Sequence, residues 1–239
     1  MNNVKGKTVL ITGGSSGYGK AMSKAYADAG AKVIIASRGE KDLKAAQAET
    51  NASAYFVMDV TKPSDWQKAY DFIIKNFGHL DILINNAGGG ISIKHTADYD
   101  IETMDAIIRL NLNSVLYGCR QFAAHMRDRK NGQIINVASV CARQAWPGWG
   151  VYGAAKAGML NFTKSLYLEL QPHGVRATCL IPASANTKFA EEAGLGKLPP
   201  MRLQADDVAQ TALFISQLPA AAVIEDVTVW GIDQVVNPL

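Results

Sequence analysis

The 239-residue chain reads as an α/β fold, a doubly wound parallel sheet of about seven strands within one domain. Three observations predict it. Short β-branched runs alternate with longer helical patterns along the whole chain, as repeated βαβ units require. The strands are nearly continuous apolar runs rather than alternating ones, which fits a sheet covered by helices on both faces. A glycine-rich turn, TGGSSGYGK at 12–20, follows directly on the first of these runs.

The elements follow in order. TVLIT (8–12) predicts the first strand and KAMSKAYADAG (20–30) a helix stopped by Gly30. KVIIAS (32–37) is the second strand, followed by the helical EKDLKAAQAET, and AYFVMDV (54–60) is the third. The third helix, SDWQKAYDFIIKNFG, takes Ser64 as its cap. DILINNAG (81–88) and QIINVAS (133–139) are further strands, separated by one long helix over 102–129. A helix over 151–171, the strand VRATCLIP, a helix over 205–217 and the strand VTVWGI complete the pattern. The irregular region 183–204 contains Gly194, Gly196 and Pro199-Pro200. No repeat or linker divides the chain, so a single domain over 1–239 is expected.

Composition excludes several function classes. An apolar content of 48% supplies a continuous core, and 24 Lys+Arg against 21 Asp+Glu is close to balance. The compact basic cluster Arg127, Arg129 and Lys130 is interrupted by Asp128. It reads as a solvated helix end, not a nucleic-acid surface. Cys119, Cys141 and Cys179 are odd in number and lack metal-like spacing, as do His79, His95, His125 and His173. No signal-like or membrane-spanning apolar run is present. A cytoplasmic protein with reduced thiols is expected, with no metal, membrane or nucleic-acid partner.

A glycine-rich turn between a strand and a helix is a phosphate cradle. Glycine admits positive φ and close backbone approach, and the helix N-terminus adds N–H groups and a positive dipole end. Here the spacing is Gly13-x3-Gly17-x-Gly19, spanning Ser15, Ser16 and Tyr18.

This TGxxxGxG pattern resembles that of the short-chain dehydrogenases/reductases, and the likeness runs from about residue 6 to residue 232. Asn85-Asn86-Ala87-Gly88 matches the family's NNAG beside the adenine ribose, and Asp59-Val60 stands where the family contacts adenine. Tyr152-Gly-Ala-Ala-Lys156 matches its YxxxK, with Ser139 upstream and Asn111 in RLNLNS at the place of its asparagine. The resemblance implies a Rossmann-type oxidoreductase that moves a hydride between a nicotinamide and a ketone, aldehyde or secondary alcohol. It also implies the roles of the catalytic set: Tyr152 exchanges the proton, Ser139 holds the substrate oxygen, Lys156 holds the nicotinamide ribose, and Asn111 holds a relay water.

Tyr152 and Lys156 are i and i+4, so both project from one helix face. A free phenol titrates near about 10, and bringing it to neutrality needs about 4 kcal/mol. The Lys156 ammonium and a cationic nicotinamide are expected to supply it. Cofactor choice rests on Ser37-Arg38, where no acid stands to bind a ribose 2′-hydroxyl. An arginine there suits a 2′-phosphate, so NADP(H) is expected.

Three departures from the family pattern stand out. Tyr18 replaces a small aliphatic residue, and Ala183 follows Pro182 where the family has glycine, with Thr187 in the place of the carboxamide contact. Segment 183–204 is expected to be the substrate lid, with Phe189, Leu195, Leu198 and Met201 making it apolar. Trp146 and Trp149 either line the same pocket or fill core or interface, and Cys141, two residues past Ser139, either touches substrate or, the favoured reading, is a small buried hydrophobe. The chain ends in VTVWGIDQVVNPL rather than a strand followed by DGG.

Two other functions compete with a carbonyl reductase or alcohol dehydrogenase. Arg127, Arg129, Lys130 and Arg176 could meet an acidic carrier, which would make the protein a 3-oxoacyl-carrier-protein reductase. A cofactor-sensing regulator on the same fold would have no use for an intact proton-transfer set. Finally, apolar or small residues run nearly all round 151–170, including Ala154, Ala157, Met159, Leu160, Phe162, Leu166 and Leu168. A homodimer or homotetramer is expected.

Overall fold

The computed structural model describes residues 3–89, 92–185, 187, 189 and 203–234. The strands are β1 (Thr8–Thr12), β2 (Lys32–Ser37), β3 (Ala54–Val57), β4 (Ile82–Asn85), β5 (Gly132–Val137), β6 (Val175–Pro182) and β7 (Asp226–Val229). All pair in parallel, in the order β3-β2-β1-β4-β5-β6-β7. The order reverses between β1 and β4, and this is the switch point where loops at the strand ends part to leave a crevice.

The helices are α1 (Gly17–Asp28), α2 (Glu40–Thr50), α3 (Pro63–Phe77), α4 (Ile101–Ile108), α5 (Ser114–Arg129), α6 (Gly150–Leu170) and α7 (Ala205–Gln217). Helix α1 packs on α2 and α7, whereas α5 packs on α3 and α6, so the two groups cover opposite faces. The central strands are buried on both, from Leu10 and Ile11 through Ile34 and Ile35 to Ile134, Leu180 and Ile181. Each such side chain contributes about 1.5–3 kcal/mol by leaving water. Buried Tyr26 joins α1 to α7 by donating to Ala212 O at 2.8 Å, with Ser216 Oγ at 2.6 Å.

Several boundaries differ from the sequence reading. Helix α3 starts at Pro63 with Lys62 at the cap, not at Ser64. Proline at N1 has its φ preset and lacks only an N–H that would go unpaired there. Strand β3 stops at Val57, and β7 stops at Val229. The long helix over 102–129 is two helices joined by a π-helical turn at Arg109–Asn113. That turn carries Asn111, and such insertions recur at functional sites.

Candidate active site

A cleft of about 1460 Å³ opens at the C-terminal ends of the strands. A drug-sized ligand needs roughly 300–1,000 Å³, so there is room for a dinucleotide together with a second molecule.

One end is the glycine-rich turn. Gly13 and Gly17 hold φ of +67° and +49°. A Cβ on Gly19 would lie 2.1 Å from Gly13 O, so nothing larger than glycine lets α1 close on the turn. Helix α1 has no side-chain cap and no acid in its first turn, which leaves its N-terminus open to an anion. Thr12 stitches this turn to the β4 loop: its Oγ1 accepts from Asn86 N at 3.1 Å and Ala87 N at 3.0 Å. Asn86 Nδ2 returns a bond to Thr12 O at 2.9 Å. The sequence reading missed Thr12, although its place just before Gly13 was the available signal.

Farther along, Ser37 and exposed Arg38 line the cleft beside Gly39 and Asp42. The Ser37 Oγ is buried without a hydrogen-bond partner, so an acceptor or donor from a bound group would complete it. Met58, Asp59 and Val60 line the same stretch. Burial pushes the Asp59 carboxyl up, but bonds from Thr61 and the charges of Lys62 and Arg38 outweigh it, leaving the group below the usual range. The open helix end, the positive-φ turn and the orphaned Ser37 hydroxyl together fit a dinucleotide phosphate chain and ribose.

The other end gathers the proton-transfer candidates. Ser139, in extended conformation at the end of β5, accepts from Cys141 N at 3.2 Å and caps a single turn over Val140–Ala142. Tyr152 and Lys156 lie on the first turns of α6, both buried. A buried polar chain holds this helix: Asn85 Nδ2 donates to Asn136 Oδ1 at 2.8 Å, and Asn136 Nδ2 to Thr163 Oγ1 at 2.9 Å. Lys156 Nζ donates to Val137 O at 3.0 Å and lies 5.6 Å from the Tyr152 ring centre. Burial disfavours the ammonium and brings Lys156 down to about 8.

The expected depression of Tyr152 is not what the structure shows. Burial raises its phenol well above the ordinary value, and the hydrogen bond with Ser139 offsets this only in part. Removing water costs a phenolate more than one neutral hydroxyl returns, and Lys156 points its ammonium at Val137 O.

Asn111 is fully buried. Its Nδ2 donates to Gly89 O at 2.8 Å and Ile107 O at 3.0 Å, and its Oδ1 accepts from Gly89 N at 3.0 Å. The side chain is therefore committed to the loop after β4. A Cβ on Gly88 would come within 2.9 Å of Asn111 Oδ1 and 3.4 Å of Lys156 Nζ, so the three residues meet closely.

Aromatic rings surround the Tyr152 end. Trp149 sits edge-on to Tyr152 at 5.6 Å and stacks on Phe189 at 6.2 Å, while Phe189 reaches Tyr152 at 5.9 Å. Trp146, Cys141, Pro182, Ala183, Thr187 and Trp230 also line the cleft. Trp146 and Trp149 thus belong to the pocket wall, and Cys141, half-buried, belongs there too. Trp230 was not foreseen, since it reads as part of a last strand. Leu195, Leu198 and Met201 lie outside the described residues.

The basic residues weighed as a carrier surface lie elsewhere. Arg127 pairs with Asp128, and Arg129 donates to Leu80 O at 3.0 Å. Arg176, second residue of β6, donates to Leu218 O at 3.2 Å and Ala222 O at 3.3 Å. These positions flank the starts of β4, β5 and β6, at the end of the sheet opposite the cleft. Among the described residues, no cluster of metal-ligating side chains occurs, and no helix is long and apolar enough to cross a membrane.

The family model of short chain dehydrogenases matches residues 7–197. The chain is 32% identical over 230 residues to an uncharacterized oxidoreductase of Staphylococcus epidermidis, covering 96% of this chain and 99% of that protein. It is 34% identical over 239 aligned positions to 3beta-hydroxysteroid dehydrogenase 1 of Eggerthella lenta, covering 93% and 91%. Its fold matches that of a serine dehydrogenase solved with NADP+ at a TM-score of 0.92 and 25% identity, over 97% of this chain and 98% of that one. A strand-end glycine cradle, a Tyr-x-x-x-Lys helix and these matches lead to one conclusion: the chain belongs to the short chain dehydrogenase family, oxidoreductases that use a nicotinamide cofactor on hydroxyl and carbonyl groups.

Proposed function

We propose that the protein is an NADP(H)-dependent carbonyl reductase or alcohol dehydrogenase for apolar ketones, aldehydes and secondary alcohols. One observation carries this reading. The buried Tyr152, with Ser139 lining the same cleft and Lys156 one turn along, lies among aromatic rings at the far end of a phosphate cradle. When bound, the nicotinamide supplies or accepts the hydride. The chain's own residues do the rest. Gly13, Ser15, Ser16, Gly17, Tyr18 and Gly19 seat the phosphates, while Asp59, Val60, Asn86, Ala87 and Gly88 flank the adenosine half. Lys156 binds the nicotinamide ribose, and Pro182 and Thr187 border the carboxamide. Ser139 holds the substrate oxygen, and the Tyr152 hydroxyl donates its proton to that oxygen or takes it back. Asn111 fixes the Gly88–Gly89 backbone against Lys156.

Substrate class follows from charge. Among the described cleft-lining residues, the cations other than Lys156 are Lys20, Lys24 and Arg38, all at the cradle end. Arg143, near Ser139 in sequence, is committed to Asp226 and Thr228. Among the described residues, an acidic carrier finds no cationic surface beside Tyr152, which favours free carbonyl compounds over carrier-bound thioesters. Likeness to a hydroxysteroid dehydrogenase supports an apolar, ring-containing substrate. NADPH oxidation across a panel of ketones, aldehydes and one carrier-bound 3-oxoacyl thioester tests this, with turnover expected on free ketones alone.

NADPH is the proposed cofactor because Ser37 and Arg38 stand where a 2′-phosphate would lie. A charge-assisted Arg38–phosphate bond contributes about 1.5–3 kcal/mol, roughly ten- to a hundredfold in affinity. Asp42 lines the same end and works against it. The wild type is expected to favour NADPH over NADH at least about tenfold in kcat/KM, and Arg38→Ala to erode the ratio mainly through the NADPH KM. Equal use of the two cofactors by the wild type would refute the assignment.

A homodimer or homotetramer is proposed from the outer side of α6, where Ala154, Ala157 and Leu168 are exposed, Leu168 at 65%. Such a stripe belongs against another surface. Light scattering at micromolar concentration is expected to give a dimer or tetramer mass, and a stable 25.7 kDa monomer would contradict it.

A further inference from the structure

Tyr18, Ala183 and the unusual ending after β7 lie far apart in sequence, yet the fold brings all three to one wall of the cleft. The Tyr18 hydroxyl donates to Ala183 O at 2.9 Å. Gln234 Nε2 donates to the next carbonyl, Ser184 O, at 2.6 Å. The Gln234 side chain is itself held, since its Oε1 accepts from Gly231 N at 2.8 Å. Ala183 N is paired with Val229 O at 2.8 Å. Beyond Pro182 the β6–β7 ladder ends, so the Ala183 and Ser184 carbonyls have no strand partner to place them. A tyrosine from the glycine-rich turn and a glutamine from the chain's end do that work.

The segment so held is not remote from the chemistry. Tyr18, Pro182, Ala183, Ser184 and Trp230 line the same cleft as Tyr152. Tyr18 is half-buried there. The wall therefore borders the same cleft as Tyr152, Trp149 and Phe189.

We propose that Tyr18 and Gln234 are positioning residues that fix the Ala183–Ser184 backbone as the wall of the nicotinamide and carbonyl subsite, and so decide which face of a ketone is reduced. This rests on the reading of the cleft as a carbonyl reductase site. A small aliphatic side chain at position 18 fills space but has no hydroxyl to tie the turn to Ala183. Tyr18→Phe keeps the ring and removes that bond alone, while Gln234→Leu releases the wall from the other side. A neutral hydrogen bond of ordinary strength corresponds to about a 2- to 12-fold effect.

Two measurements test the proposal. In the first, NADPH is titrated against the substrate-free protein by tryptophan fluorescence. Tyr18→Phe is expected to raise the Kd by about 2- to 12-fold. In the second, the enantiomer ratio of the alcohol formed from a prochiral aryl alkyl ketone is measured. It is expected to fall by a similar factor in Tyr18→Phe and in Gln234→Leu. In the double variant it is expected to fall by less than the product of the two, because both side chains hold one segment. Circular dichroism establishes that each variant is folded, and the half-buried Gln234 position carries the test if Tyr18→Phe is not. Wild-type Kd and wild-type enantiomer ratio in folded single variants would overturn the proposal. A wild type that binds NADPH but reduces no ketone would instead refute the functional reading, with the Kd comparison still deciding the role of Tyr18.

Discussion

Tyr152→Phe is expected to lower kcat by about 10²- to 10⁴-fold, the usual contribution of a positioned proton donor, while NADPH still binds. The substitution removes one oxygen and leaves the ring packed against Trp149 and Phe189. Loss of turnover with retained binding therefore isolates the proton. Retention of more than about a tenth of wild-type kcat would remove Tyr152 from the role assigned to it. The burial of this phenol gives the pH dependence its sign. A raised value keeps the proton on Tyr152 across neutral pH, the form that donates to a carbonyl during reduction. Reduction is expected to hold level through neutrality and decline only on the alkaline side. Oxidation needs the phenolate, so its rate is expected to climb with pH. Profiles in both directions at saturating cofactor check this, and an oxidation rate that falls with rising pH would contradict it.

Lys156→Met is expected to lose about 10²-fold or more in turnover and also to weaken NADPH binding, unlike Tyr152→Phe. Methionine keeps much of the buried stem and removes the charged head that meets Gly88 and Val137 O. A second readout separates this role from folding. The Lys156 value falls from the ordinary lysine range to about 8 in the folded protein. Between about 8 and the unfolded value of about 10.4, the unfolded chain binds more protons at this site, so stability from this group rises with pH. Below about 8 both states carry the charge and the burial penalty is felt in full. The thermal midpoint of the wild type, taken relative to Lys156→Met, is therefore expected to rise as pH climbs through this window. A pH-independent difference would show that the ammonium is not confined as described.

Much of this was legible in the sequence because the responsible features are local. Strands such as KVIIAS and VRATCLIP announce themselves by being apolar on both sides, which only a doubly covered sheet demands. The Gly13, Gly17 and Gly19 spacing is equally local, since steric exclusion at Gly19 depends on a turn of fixed length. What could not be read depends on the third dimension. The π turn at Arg109–Asn113 leaves the apolar pattern of 102–129 helical, so nothing in the periodicity marks it. The sign of the Tyr152 shift is set by how much water the aromatic wall excludes, which a Tyr-x-x-x-Lys spacing does not encode. The meeting of Tyr18 with Ala183 and of Gln234 with Ser184 spans most of the chain, and only the closed fold brings these residues together.

The proposed chemistry is tested most directly by following the transferred atom. The wild-type protein would be incubated with NADPH carrying deuterium at the reactive nicotinamide carbon and a panel of apolar aryl and cyclic ketones, and the alcohols analysed by mass spectrometry. At least one ketone is expected to give an alcohol with a single deuterium on the carbinol carbon, and Tyr152→Phe to give almost none. Absence of labelled alcohol from every ketone, with a folded protein that binds NADPH, would contradict the account.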